Sequence, residues 1–136
     1  MIRRAIKEDA GRIAEILSQT LTGWSEQSVV SSIEKDFCLV AEDSEICGVI
    51  FLSRVLDECE ILNFAVDINL RGSGIGTVLI DAALSAEFVK GADVFLDVRE
   101  SNEAAIHLYK KFGFKEITVR KNFYTNPNEN AIIMKK

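Results

Sequence analysis

Between Glu60 and Lys90 a short apolar run, a glycine-rich turn and an apolar helix face follow one another. No other stretch limits the fold as tightly. Residues 60–66, EILNFAV, have the length and composition of a strand. Arg71-Gly72-Ser73-Gly74-Ile75-Gly76 is a turn. Ile75, Leu79, Ala82, Ala83 and Ala86 then recur at i, i+4, i+7, i+8 and i+11, which is helical spacing. A glycine-rich turn that opens a helix offers unpaired backbone N–H groups at the positive end of a dipole. It also lets an anion approach the main chain, so it suits a phosphate or pyrophosphate. No Gly-Lys-Ser/Thr follows, so this is not a nucleotide-binding P-loop. Thr77 stands where G-x-G-x-x-G needs its third glycine. Taken alone, the run also suits an ordinary tight bend between a strand and a helix.

The rest of the chain alternates in type. Residues 2–6 read as a strand and 7–21 as a helix with Ala10, Ile13, Ala14, Ile16, Leu17 and Leu21 on one face. The break at Thr22-Gly23-Trp24-Ser25 leaves Ser25 as N-cap of a second helix to about Lys35. Strands are predicted at 37–41 and 46–55, joined by a hairpin at 42–45, and at 58–66. The helix after the turn is expected to run to Gly91. A strand at 94–99, a helix at 102–112 closed by Gly113, and strands at 114–120 and 131–134 complete the chain. The order β-α-α-β-β-β-α-β-α-β-β describes one α/β domain over residues 1–136.

Composition narrows the function by exclusion. With 16 basic and 21 acidic residues the net charge is −5, without the basic footprint of a nucleic-acid binder. That balance suits a cationic substrate, such as an amine or a basic peptide. No run reaches the ~18 apolar residues of a membrane span, and the first residues, MIRRAIKEDAG, carry no signal-peptide core. Cys38, Cys47 and Cys59 lie singly in apolar runs, and His107 is the one histidine. No zinc or other metal site is expected from them, and reduced core thiols fit a cytoplasmic protein.

A second motif is more specific. Residues 96–114 read LDVRESNEAAIHLYKKFGF. They resemble the V-x-x-x-N-x-x-A-x-x-x-Y-x-x-x-G-F segment of the GNAT superfamily of acetyl-CoA N-acyltransferases, with Asn102, Ala105, Tyr109, Gly113 and Phe114 at the matching positions. Arg71-x-x-Gly74-x-Gly76 resembles that superfamily's pyrophosphate loop. The resemblance implies a mixed, mostly antiparallel sheet with two central parallel strands that splay apart, flanked by helices. It implies acetyl-CoA as co-substrate. Main-chain groups of Phe64, Ala65 and Val66 would pair with its pantetheine arm. The loop Arg71, Gly72, Ser73, Gly74, Ile75, Gly76 and Thr77 would take the pyrophosphate. Asn102 would bond to the pantetheine near its thiol end, and Ala105 and Tyr109 would also contact the cofactor.

Within the superfamily, Gly23-Trp24-Ser25-Glu26, Leu96-Asp97-Val98-Arg99-x-Ser101-Asn102 and the segment from Arg120 to Met134 resemble the bacterial RimI type, the ribosomal-protein-alanine N-acetyltransferases. This implies a basic N-terminal peptide of a ribosomal protein as acceptor. Three positions depart from that pattern: Asp97 replaces Glu, Asn130 replaces Asp, and Phe123 replaces the first of two tyrosines.

A free α-amine has a pKa of roughly 7.7–8.0, so much of it is neutral near pH 7 and can attack a thioester directly. No Cys–His pair suggests a covalent route. The catalyst must remove a proton from the amine and supply one to the departing thiolate. Asp97, one acid within the apolar strand VFLDV, is a candidate base, with a structural pairing to Arg99 as its rival role. Glu60 is the other, because many GNAT enzymes place a base on this strand. Tyr109 is the candidate acid. His107 has no evident acid partner and is read as a surface or packing residue. Two further functions stay open: acetylation of a small-molecule amine, and a non-catalytic acyl-CoA-binding module.

Overall fold

Seven strands form one sheet in the order β1-β2-β3-β4-β5-β7-β6. The structure is a computed structural model and describes residues 1–21 and 23–136. Its elements are β1 (Ile2–Arg4), α1 (Ala10–Ser18), α2 (Glu26–Lys35), β2 (Phe37–Asp43), β3 (Glu45–Val55), β4 (Glu58–Val66), α3 (Ile75–Leu84), β5 (Asp93–Arg99), α4 (Glu103–Lys111), β6 (Lys115–Tyr124) and β7 (Glu129–Lys135). The order of strands and helices is the one the sequence implies. Neighbouring strands are antiparallel except β4 and β5.

Local chemistry explains several boundaries. Ser25 accepts the Ser28 backbone N–H and caps α2, as expected. Asn102 caps α4 by accepting the Ala105 N–H at 3.2 Å. Residues 7–9 are a 3-10 turn rather than the start of α1, because the Asp9 carboxylate takes the Ile6 N–H and the Arg3 guanidinium. α1 stops at Ser18, short of Leu21, where the Gln19 side chain turns away to accept the Ile68 N–H. Thr22, part of the break expected there, lies outside the described residues.

α3 ends at Leu84, not near Gly91. Ala86 leaves its face in an extended conformation, and Glu87–Val89 make a separate 3-10 turn. That turn stacks Phe88 on Phe37, with ring centroids 4.6 Å apart, and presents the Phe88 and Lys90 carbonyls to Arg54. β6 and β7 run on to Tyr124 and back from Glu129, so their loop is shorter than the sequence suggests. An irregularity between Arg120 and Tyr124, centred on Asn122 at φ 54°, lets the strand bulge and still pair.

Two cores sandwich the sheet. One face buries Ile50, Leu52, Ile61, Leu96, Val98 and Met134 beneath α3 and α4. The other buries Cys38, Val40, Val49 and Phe51 beneath α1 and α2, where Trp24 stacks on Phe51. β5 alternates accordingly: Val94, Leu96 and Val98 are buried beneath α3 and α4, while Phe95, Asp97 and Arg99 point to the opposite face and are partly exposed. Truncating a fully buried Leu79 or Leu96 to Ala costs about 2–5 kcal/mol.

Candidate active site

The split in the sheet starts at one residue. β4 and β5 pair in parallel only from Glu58 opposite Asp93 to Ile61 opposite Leu96. At Leu62 the ladder to β3 slips, with Phe51 opposite Asn63 and Leu52 opposite Ile61. The extra residue bends β4 away from β5 at the point where their pairing ends. Past it, residues 62–66 have no partner strand on that side, and neither do Asp97, Val98 and Arg99. The gap is a cleft of about 930 Å³ lined by β4, β5, α4 and the turn before α3.

At the α3 end the cleft wall is main chain. Gly74, the residue before the helix, has φ +85°, a left-handed conformation that disfavours other side chains. A Cβ there would point into open space, so the backbone itself faces the opening. A Cβ on Gly76 would meet the Phe64 ring at 3.4 Å and Val66 at 3.6 Å, so α3 packs close against β4 here. The turn is held from behind by Asp67, whose carboxylate accepts the Asn69 N–H, the Arg12 guanidinium and the Gln19 amide. These bonds keep the Asp67 carboxyl below the usual carboxylate range, the Asn69 N–H first and Arg12 second. Sequence reading missed all three side chains. The one available signal was Arg12, a charge within the apolar run of α1.

The predicted cofactor residues Phe64, Ala65, Val66, Arg71, Gly72, Gly74, Ile75, Gly76, Thr77, Asn102, Ala105 and Tyr109 all border this cleft. Ser73 does not; its hydroxyl donates to the Leu70 carbonyl and closes the turn. Asn102 spends its carbonyl oxygen on the α4 cap and keeps its amide N–H groups for other acceptors.

The candidate catalytic groups divide between two clefts. Tyr109 is 6% exposed, packed between Phe64 and Phe114, and reaches the large cleft. Burial pushes its phenol well above the ordinary value, so it stays protonated through neutral pH. Glu60 is absent from that cleft. It lines a second one, about 420 Å³, with Ser53, Glu58, Phe95, Arg120 and Ile133 on the opposite face of the sheet. Asp97 lines both. Glu60 titrates above the usual carboxylate range because of desolvation and repulsion from Asp97, with Arg120 opposing.

Arg99 does not pair with Asp97. Its guanidinium goes to Glu129 at 3.2 Å and to carbonyls of the β6–β7 loop. Tyr124, at the far end of β6, also borders the large cleft. Its phenol is raised by burial and by the Asp97 charge. Its place at the cleft was missed, although it lies in the stretch Arg120–Tyr124 that carries part of the resemblance. His107 is exposed on α4 and borders neither cleft.

A family model for the acetyltransferase (GNAT) family matches residues 6–114. The chain belongs to the GNAT acetyltransferase family. It is an acetyl-CoA-dependent N-acetyltransferase. It is 31% identical to the [ribosomal protein bS18]-alanine N-acetyltransferase of Haemophilus ducreyi, over 98% of this chain and 97% of the relative. It is 34% identical to the Escherichia coli enzyme of the same name, over 82% of this chain and 78% of the relative. The crystal structure of the ribosomal-protein-S18-alanine N-acetyltransferase from Escherichia coli superposes with a TM-score of 0.88 at 32% identity, covering 99% of this chain and 91% of that one. The GNAT sheet, with its one parallel pair, is thus present as the motifs implied. Among the described residues, no helix is long and apolar enough to cross a membrane.

Proposed function

We propose that this GNAT enzyme acetylates the N-terminal α-amine of a ribosomal protein, with an alanine first and a cationic residue close behind. The observation that carries this is Asp97, which borders both clefts. One cleft offers unpaired β4 backbone and a glycine turn, which suit pantetheine and pyrophosphate. The other offers Glu58, Glu60 and Asp97, which suit a basic peptide. The names of the relatives support the same acceptor.

In this reading the neutral amine attacks the acetyl carbonyl. A C–N bond forms and the C–S bond breaks. Asp97 takes the amine proton, and the Tyr109 hydroxyl gives its proton to the sulfur. Asp97 is the better base candidate than Glu60 because it alone reaches the cleft that also holds Tyr109. Glu60, beside it, attracts the cationic acceptor. Holding amine and thioester together supplies up to ~7–11 kcal/mol of the barrier reduction.

The test is transfer from acetyl-CoA to a synthetic peptide beginning Ala-Arg, followed by mass spectrometry, beside a panel of small amines. Acetylation of the peptide α-amine is expected. Turnover of small amines alone would transfer the acceptor assignment to a metabolite. CoA binding without turnover of any amine would make the chain a binding module.

A further inference from the structure

Arg99 lies two residues from Asp97 on the same face of β5, and its guanidinium is spent on one loop. Nη1 donates to the Pro127 carbonyl at 3.1 Å and to Glu129 Oε1 at 3.2 Å. Nη2 donates to the Thr125 carbonyl at 3.2 Å. The same group lies over the Tyr124 ring, 4.5 Å from its centroid. Glu129 in turn accepts the Ser101 N–H just beyond the end of β5. These contacts hold its carboxyl below the usual range, the Ser101 bonds first and Arg99 after them. A planar fork that meets three acceptors and an aromatic face holds a segment in one geometry; an ammonium in its place cannot.

We infer that Arg99 is a positioning residue for the acceptor: it fixes the β6–β7 loop and the Tyr124 ring against the strand that carries Asp97. Tyr124 is then one wall of the opening through which an amine must reach Asp97. Arg99 touches no reacting atom. It sets the width and shape of the acceptor side and leaves the glycine turn untouched, because that turn lies on α3, at the other end of the cleft. The same commitment leaves Asp97 without an ion-pair partner among the described residues.

The inference rests on the acceptor reading above, and its test separates the two. Arg99→Ala, Arg99→Lys and Glu129→Gln are compared with wild type by hydrogen exchange over residues 124–130 and by steady-state kinetics with acetyl-CoA and the Ala-Arg peptide varied in turn. Arg99→Ala should speed exchange in the loop and lower kcat/KM for the peptide by roughly 10–100-fold, with KM for acetyl-CoA unchanged. Arg99→Lys and Glu129→Gln should fall between it and wild type. Unchanged exchange in the loop overturns the clamp. So does an equal rise in both KM values with a lower Tm, which marks a structural role only. If Arg99→Ala does not fold, Glu129→Gln decides by the same criteria. If wild type acetylates no N-terminal peptide, the acceptor assignment falls, and the exchange data still decide whether Arg99 holds the loop.

Discussion

The α3 end of the cleft faces solvent with main chain, at Gly72 and Gly74 and along the unpaired edge of β4, whereas the β6–β7 end is bordered by the side chains of Arg99 and Tyr124. In the proposed function the first surface receives an anion and an extended amide chain, which every acyl-CoA carries. The second is shaped by contacts between residues about 25 to 30 positions apart. A backbone surface tolerates many sequences provided the glycines remain. A side-chain surface can be re-cut by single substitutions. In that reading the acyl-CoA meets main chain, and the acceptor meets the side chains that substitution can tune.

The comparison breaks most visibly at the turn. Gly74→Val places a β-branched side chain at φ +85° and over the open backbone, and should abolish CoA binding measured by calorimetry. Arg71→Ala should only weaken it. Equal, small effects from both would mean that main chain is not the binding surface. Next in size is Tyr109→Phe, which keeps the packing between Phe64 and Phe114 and removes the hydroxyl. Acetyl-CoA affinity should be near normal and kcat lower by about 10²–10⁴ if proton donation limits the rate. Full kcat in this variant would leave the tyrosine as a packing residue.

Much of this was legible locally. Gly74, Asn102 and Gly113 sit at turns and caps whose requirements are set by neighbours within about four residues, so spacing alone exposes them. The strand and helix order was legible for the same reason. The supports were not. Arg12 and Asp67 are 55 positions apart, and Arg99 and Glu129 are 30 apart. Only the folded sheet brings either pair together. The end of α3 was misplaced because Ala86 fits the helical period, while the carbonyls of Phe88 and Lys90 are claimed by Arg54 on β3. Side-chain competition of that kind leaves no periodic trace.

Smaller effects sharpen the acceptor side. Asp97→Asn removes one of the two causes that hold Glu60 above its ordinary pKa, so the Glu60 titration followed by carboxyl NMR should move down while staying raised by burial. The sign for stability follows. A raised folded-state pKa favours the fold below the unfolded value, and that contribution is lost as pH rises through the folded value. Asp97→Asn should therefore slightly relieve the penalty at neutral pH. In kinetics, if Asp97 is the base, Asp97→Asn should lose the acidic limb of the kcat/KM profile and Glu60→Gln should keep it. A Glu60 titration indifferent to Asp97 would separate the two acids and remove their shared cleft from the account. The smallest expected effect is ionic strength. KM for a cationic peptide should rise with salt, because exposed attraction to Glu58 and Glu60 is screened over ~10 Å at 0.1 M.

The division of the cleft into a backbone end and a side-chain end can be tested in one structure determination, with a bisubstrate analogue that joins CoA through its acetyl carbon to the α-amine of an Ala-Arg peptide. The account predicts the pyrophosphate on the backbone N–H groups between Gly72 and Thr77. It predicts the linked nitrogen beside Asp97 and the peptide leaving past Tyr124 toward Glu60 and Arg120. A peptide that lies back along α3 and α4, with Glu60 and Tyr124 untouched, would contradict it.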